Sequence, residues 1–171
     1  MPVAVTAVFD PVATAGLARL IGRLSAAGLS RSQESLGYLP HLTLAVQNTE
    51  DTGLAGAAAR DVLAQLPARL ELSGLAVFPG TPSVLYAAAV PTMSWLEMHA
   101  ALCGRLDRVE EHFRQGNWVP HITLAADLEP GRLCEAMGLL LAGWSTSTLQ
   151  VRALEVVRFP PVRCELHLPR T

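Results

Sequence analysis

The chain has 171 residues, half of them hydrophobic and 16% charged, with a net charge of −2 and every basic residue an arginine. That is enough apolar material for a sizeable core, and the charge balance excludes the dense basic stripe of a protein that tracks a long nucleic-acid duplex. No apolar run reaches the roughly 18 residues a membrane-spanning helix needs, and the start, MPVAVTAVFD, lacks the basic region and cleavage site of a signal peptide.

In chain order, alternating aliphatics predict a strand over Val3–Phe9, and a helix follows from Pro11 to about Ala27. A polar loop, LSRSQESLG, leads to YLPHLTLA at 38–45, read as a strand over His41–Val46. A helix over Gly53–Leu66 precedes strands Arg69–Phe78 and Ser83–Val90, joined by the turn PGTPS. A long helix is predicted from Ser94 to Phe113, because Trp95, His99, Leu102, Leu106, Val109 and Phe113 recur at alternating spacings of four and three, a buried helical stripe. That stripe makes His99 a structural residue and puts His112 at the helix's end. The loop RQGN leads to WVPHITLA at 118–125, with a strand over His121–Ala126. A helix over Pro130–Ala142 and strands Leu149–Phe159 and Arg163–Leu168 complete the order. Cys103, Cys134 and Cys164 are an odd, scattered set, which points away from a disulfide framework and toward a reducing cytoplasm.

The two phrases YLPHLTLA and WVPHITLA lie 80 positions apart and match in residue class at every position. Around each runs the order helix, loop, strand, helix, strand pair, the pairs being joined at VFPG and RFPP. The chain therefore reads as an internal duplication, one domain over residues 1–171 made of two intertwined halves. On a strand, side chains alternate between faces. His41, Thr43 and Ala45 then oppose Leu42, Leu44 and Val46, and His121, Thr123 and Ala125 oppose Ile122 and Leu124. With the aliphatic face packed on helices, a pseudo-twofold axis brings two His/Thr pairs together across a groove.

Such a groove suits displacement at phosphorus, where attacking and leaving oxygens lie roughly in line. One neutral imidazole takes a proton from water; the other, protonated, gives one to the leaving oxygen. A Thr two residues on can donate to a non-bridging oxygen as charge grows there. No metal or cofactor is implied, since there is no HxH and no acidic residue at ligand spacing from either His.

With HLTL and HITL in these contexts, the sequence resembles the 2H phosphoesterase superfamily, named for two HxTx motifs, and within it the bacterial 2'-5' RNA ligase family. The resemblance covers nearly the whole chain. It implies a bilobal α+β fold, two antiparallel sheets flanking a central groove with helices on the outer faces, and His41, Thr43, His121 and Thr123 as the catalytic set. It implies opening of 2',3'-cyclic phosphates, and in some members reversible 2'-5' joining of RNA ends. The motifs here continue as AVQN and AADL, without the basic residue many such enzymes carry, which leaves the substrate open among RNA 3' ends, nucleotides and other phosphodiesters. A binding module with little turnover and a reversible ligase remain alternatives. The oligomeric state is open, with a monomer expected.

Five further residues are weaker candidates for substrate contact. Arg31 and Arg114 lie in the loops entering each motif and have the charge to meet a phosphate. Phe78 and Phe159 are equivalent in the two halves and suit either stacking on a base or ordinary packing. His167 alternates with Arg163 and Glu165 on the last strand, facing either the groove or solvent. Tyr38 and Trp118, three residues before each His, are at the odd spacing that predicts packing away from the His face.

Overall fold

A computed structural model of the protein describes residues 1–170. The class is α+β, with β1 Val3–Phe9, α1 Pro11–Ala26, α2 Ser32–Leu36, β2 His41–Gln47, α3 Gly53–Val62, β3 Arg69–Phe78 and β4 Ser83–Ala89. There follow α4 Met93–Cys103, β5 His121–Leu128, α5 Leu133–Leu141, β6 Thr148–Arg158 and β7 Arg163–Pro169. No helix among the described residues is long and apolar enough to cross a membrane.

All strand pairs are antiparallel. The order is β2-β1-β6-β3-β4-β5, with β7 on β6. One lobe is built on β2-β1-β6-β7 and the other on β5-β4-β3. They join where Arg69–Glu71 of β3 meets Thr148–Gln150 of β6, so the two expected sheets are one hydrogen-bonded network. The run β2-β1-β6 stands on one side of that junction and β3-β4-β5 on the other.

Local chemistry explains the helix ends. Asp10 accepts from the Val12 amide at 2.9 Å with Pro11 at the first helical position, which starts α1. Gly37 closes α2 at φ 64°, a left-handed conformation that favours glycine, and so aims the chain into Tyr38. The loop before α2 is fastened to β5: Asp127 accepts from the Ser30 hydroxyl and the Arg31 amide, and Ser32 Oγ accepts from the Ala126 amide at 2.8 Å. One apolar core runs under both lobes, with Trp95, Leu42, Leu44, Leu85, Ile122 and Leu124 among its fully buried side chains.

The long helix is corrected. α4 ends at Cys103, Gly104 caps it, and Arg108 takes φ 55°. The chain beyond runs beside β2, where Val109 bridges Gln47 and the Glu110 amide donates to Val46 O at 2.8 Å. A short 3-10 turn, Glu111–Phe113, follows. Leu106 and Val109 are buried as the stripe requires, yet by non-helical chain. A free backbone alongside an exposed strand edge gained ladder bonds there, and Gly104 offers little helical preference to oppose it.

His99 lies at the centre of this region, 2% exposed. Its Nε2–H points at both Leu44 O, at 3.1 Å, and Phe113 O, at 3.0 Å, and its ring stacks on Trp118 with centroids 4.1 Å apart. Burial pushes its pKa below the ordinary 6.5, although the two carbonyls pull it up. A depressed histidine resists protonation in the folded state, so its contribution is whole above 6.5 and is lost as pH falls below that value. Urea unfolding should accordingly give falling stability from pH 7.5 to 5.5. The substitution His99→Ala should cost on the order of 3 kcal/mol at pH 7.5 by leaving two buried carbonyls unpaired and opening a cavity, and should flatten that slope.

Candidate active site

The two HxT segments begin β2 and β5 and share a construction. Pro40 and Pro120 hold the preceding residue extended, and that residue's carbonyl accepts from the imidazole. Leu39 O lies 2.9 Å from His41 Nδ1, and Val119 O lies 2.7 Å from His121 Nδ1. A carbonyl can only accept, so in each neutral ring Nδ1 carries the proton and Nε2 keeps its lone pair.

Strict alternation along the motif strands fails, at the same place in both. On β2, Thr43 faces Thr6 and Ala45 faces Val5, so Leu44 is an extra residue. On β5, Thr123 faces Tyr86 and Ala125 faces Leu85, so Leu124 is extra. Each bulge reverses the faces after it. Ala45 and Ala125, expected beside their histidines, lie instead in the core, while Val46 and Ala126 turn to the groove.

The groove has two cavities. One, of about 330 Å³, includes His41, Thr43, Tyr38, Val46, Phe159 and Thr123 in its walls; the other, of about 610 Å³, includes His121, Thr123, Phe78, His112 and Asn117. Phe113, Thr123 and Ala126 line both, so the two cavities meet at those side chains. β2 and β5 approach within 8 Å, Cα to Cα, although no ladder joins them. Trp118 links them, its Nε1–H donating to Thr43 O at 3.0 Å.

Aromatic rings surround both imidazoles. Phe78 stacks on Tyr86 at 4.2 Å and meets His121 edge-on at 5.0 Å; Tyr86 stands 5.1 Å from the same ring. Tyr38 lies 4.6 Å from His41 at 49°. The expectation that Tyr38 points away is therefore corrected: the chain before Pro40 is not yet a straight strand, so odd spacing does not set its direction. Trp118 is 8% exposed and packs on the core, yet it also lines the His121 cavity, so the expectation that it turns wholly away from the His face is corrected as well.

Of the weaker candidates, Phe78 and Phe159 line the groove, one in each cavity. Arg31 and Arg114 line neither; the Arg114 Nε–H is spent on Val109 O at 2.9 Å, and Arg31 meets Asp127 through its backbone amide. His167 lines a separate cavity and is bonded to Glu155, Nδ1 to Oε1 at 2.8 Å. The sequence reading missed Phe113, assigned to a buried stripe, and Tyr86, for which no motif speaks.

Both groove histidines are depressed below 6.5. For His41 burial leads, Leu39 O opposes it, the charge of His121 lowers it further, and Glu155 raises it. For His121 burial again leads, against Val119 O. In ¹⁵N spectra both should titrate below 6.5 and show the Nδ1–H tautomer when neutral; a midpoint above 6.5 for either, in the free protein, would contradict this environment.

Among known families, one described as the 2'-5' RNA ligase superfamily matches residues 31–161, a span holding both HxT segments and the strands from β2 to β6. Among curated proteins, none matches the chain.

Proposed function

The chain belongs to the 2'-5' RNA ligase superfamily, and from that premise we propose that it hydrolyses a 2',3'-cyclic phosphate, on a nucleotide or at an RNA 3' end, with its two groove histidines as general acid and base. The observation that carries this reading is the matched pinning of His41 and His121 through Nδ1, which leaves each Nε2 to exchange a proton in the groove. The family supplies the phosphoesterase chemistry; the cyclic substrate is the finer step we add.

In this scheme the phosphate sits near Thr123, where the two cavities meet. One imidazole accepts a proton from water at Nε2 as the water oxygen bonds to phosphorus. The bond from phosphorus to one ribose oxygen breaks in line, and that oxygen takes the Nε2 proton of the other, protonated imidazole. The product is a phosphomonoester. Thr43 and Thr123 donate to the non-bridging oxygens as their charge grows. The base or ribose packs on Phe78 or Phe159, and the partner is a small nucleotide or a single RNA end rather than a duplex. The three free cysteines accord with a cytoplasmic protein.

A second reading, a binding module with little turnover, is favoured by one observation: among the described residues lining the two cavities there is no arginine. Reversible 2'-5' ligation opens the same cyclic phosphate with a 5'-hydroxyl in place of water as the attacking group, and is distinguished by its product, a 2'-5' phosphodiester.

Kinetics on a nucleoside 2',3'-cyclic phosphate decide among these. His41→Ala and His121→Ala should each lower kcat by about 10²–10⁴. Thr43→Val and Thr123→Val should cost less than the roughly 10²–10³ of a dedicated oxyanion donor, because water can replace a hydroxyl. A base works above its pKa and an acid below its own, so lowering both moves both limbs of the bell to lower pH. The optimum of kcat/KM should therefore lie below 6.5. Activity should persist in EDTA; loss on chelation, restored by zinc or manganese, would overturn the two-histidine scheme. Binding of the nucleotide without conversion would put the binding module first.

A further inference from the structure

Behind His41, outside both groove cavities, lies a largely buried carboxylate that the scheme above does not use. Glu155, on β6, has only 14% of its side chain exposed. A carboxylate so placed needs partners, and it has two. Tyr38 Oη donates to Oε2, and His167 Nδ1 meets Oε1 at 2.8 Å. Thr6, opposite Glu155 in the β1–β6 register, adds a hydroxyl contact to Tyr38 Oη at 3.0 Å. Burial, with the carboxylate beside it, pushes the Tyr38 pKa up, so the phenol stays a donor.

Tyr38 is thereby fixed at its far end, and it immediately precedes Leu39, whose carbonyl holds His41 Nδ1. Its ring also supports the imidazole face at 4.6 Å. The His121 half is anchored differently: its corresponding aromatic, Trp118, bonds to a backbone carbonyl, Thr43 O. The two imidazoles are thus held by similar local contacts, but only one is backed by a charge.

We propose that Tyr38 and Glu155, with His167 at the outer end, form a tether that positions the His41 ring in the groove. The proposal rests on the reading of His41 as a proton-transfer group. Glu155 lines neither groove cavity, so it is a positioning residue and does not touch substrate. The titratable and charged groups facing this array include His121 across the groove, Glu110 in the wall of the His41 cavity, Cys164 from β7, and Asp10, Arg152 and Arg170 in the cavity that Tyr38, Glu155 and His167 share. Of the charges acting on His41, Glu155 favours the imidazolium and His121 opposes it.

The test uses the full chain with ¹⁵N-labelled histidines, comparing Glu155→Gln and Tyr38→Phe with the unmodified protein. Glu155→Gln keeps an acceptor for the phenol and removes the charge; Tyr38→Phe keeps the ring and removes the hydroxyl. Unchanged His99 signals certify the fold in each. For Glu155→Gln the His41 titration should move to lower pH while that of His121 stays in place. For Tyr38→Phe the Nδ1–H tautomer of His41 should give way to a mixture. On a cyclic nucleotide, Glu155→Gln should lower kcat by about ten- to a hundredfold, the scale of a misplacement on the order of 1 Å, with KM unchanged. If both variants leave the His41 midpoint and tautomer as they were, the tether is refuted. If His41 responds as described but the unmodified protein turns over no cyclic phosphate, the tether stands and the catalytic reading falls.

Discussion

The contact on which the site depends is the hydrogen bond from the Trp118 indole to the Thr43 carbonyl. β2 and β5 stand at opposite ends of the strand order, yet the sheet curls until these two edges face each other. No ladder joins them, so side chains must. Trp118 does so from the start of β5, and its ring is stacked on His99, which in turn binds Leu44 O and Phe113 O. The stack ties the two motif strands and the 3-10 turn between them into one unit. An edge strand left open invites pairing with another chain; here the edges enclose the groove instead.

The paired bulges at Leu44 and Leu124 complete the arrangement. A regular strand would carry one face to the groove throughout. With one extra residue, His and Thr face the groove, the bulged Leu is buried, and the following Ala enters the core. The groove thereby gains Val46 and Ala126 as apolar walls, and the core takes Ala45 and Ala125.

The two HxT segments share a local construction and differ in electrostatics. His121 is enclosed by the Phe78 and Tyr86 rings, whereas His41 has the Tyr38–Glu155 pair behind it. A repeated phrase does not fix the surroundings of its two copies, because these come from β3 and β4 in one case and from β6 and the segment before β2 in the other. Under the proposed scheme, in which the two imidazoles exchange protons in opposite senses, such a difference is useful.

Much of this was legible in the residues. Val3–Phe9 and Arg69–Phe78 are predicted with the bounds the structure has, since each carries recurring apolar residues between flanking prolines, Pro2 and Pro11 for one and Pro67 and Pro79 for the other. The HxT phrases pointed to the groove, whose cavities both segments line. The apolar stripe through Leu106 and Val109 gave burial correctly and conformation wrongly, for periodicity reports which side chains leave water and not which backbone bonds form. The bulges were invisible: register depends on the partner strand, and nothing in HLTLA or HITLA marks the extra residue. Equally hidden were Tyr38 on Glu155, 117 residues away, and Trp118 on Thr43, 75 residues away. By itself the sequence determined the order of the strands along the chain and the α+β class, because these follow from local pattern; the short helix α2 lies inside the segment read as a polar loop, where no apolar periodicity marks it. Only the tertiary structure decided which rings face the histidines, where the arginines go and which imidazole has a carboxylate behind it, because those contacts form only when strands distant in sequence are packed edge to edge.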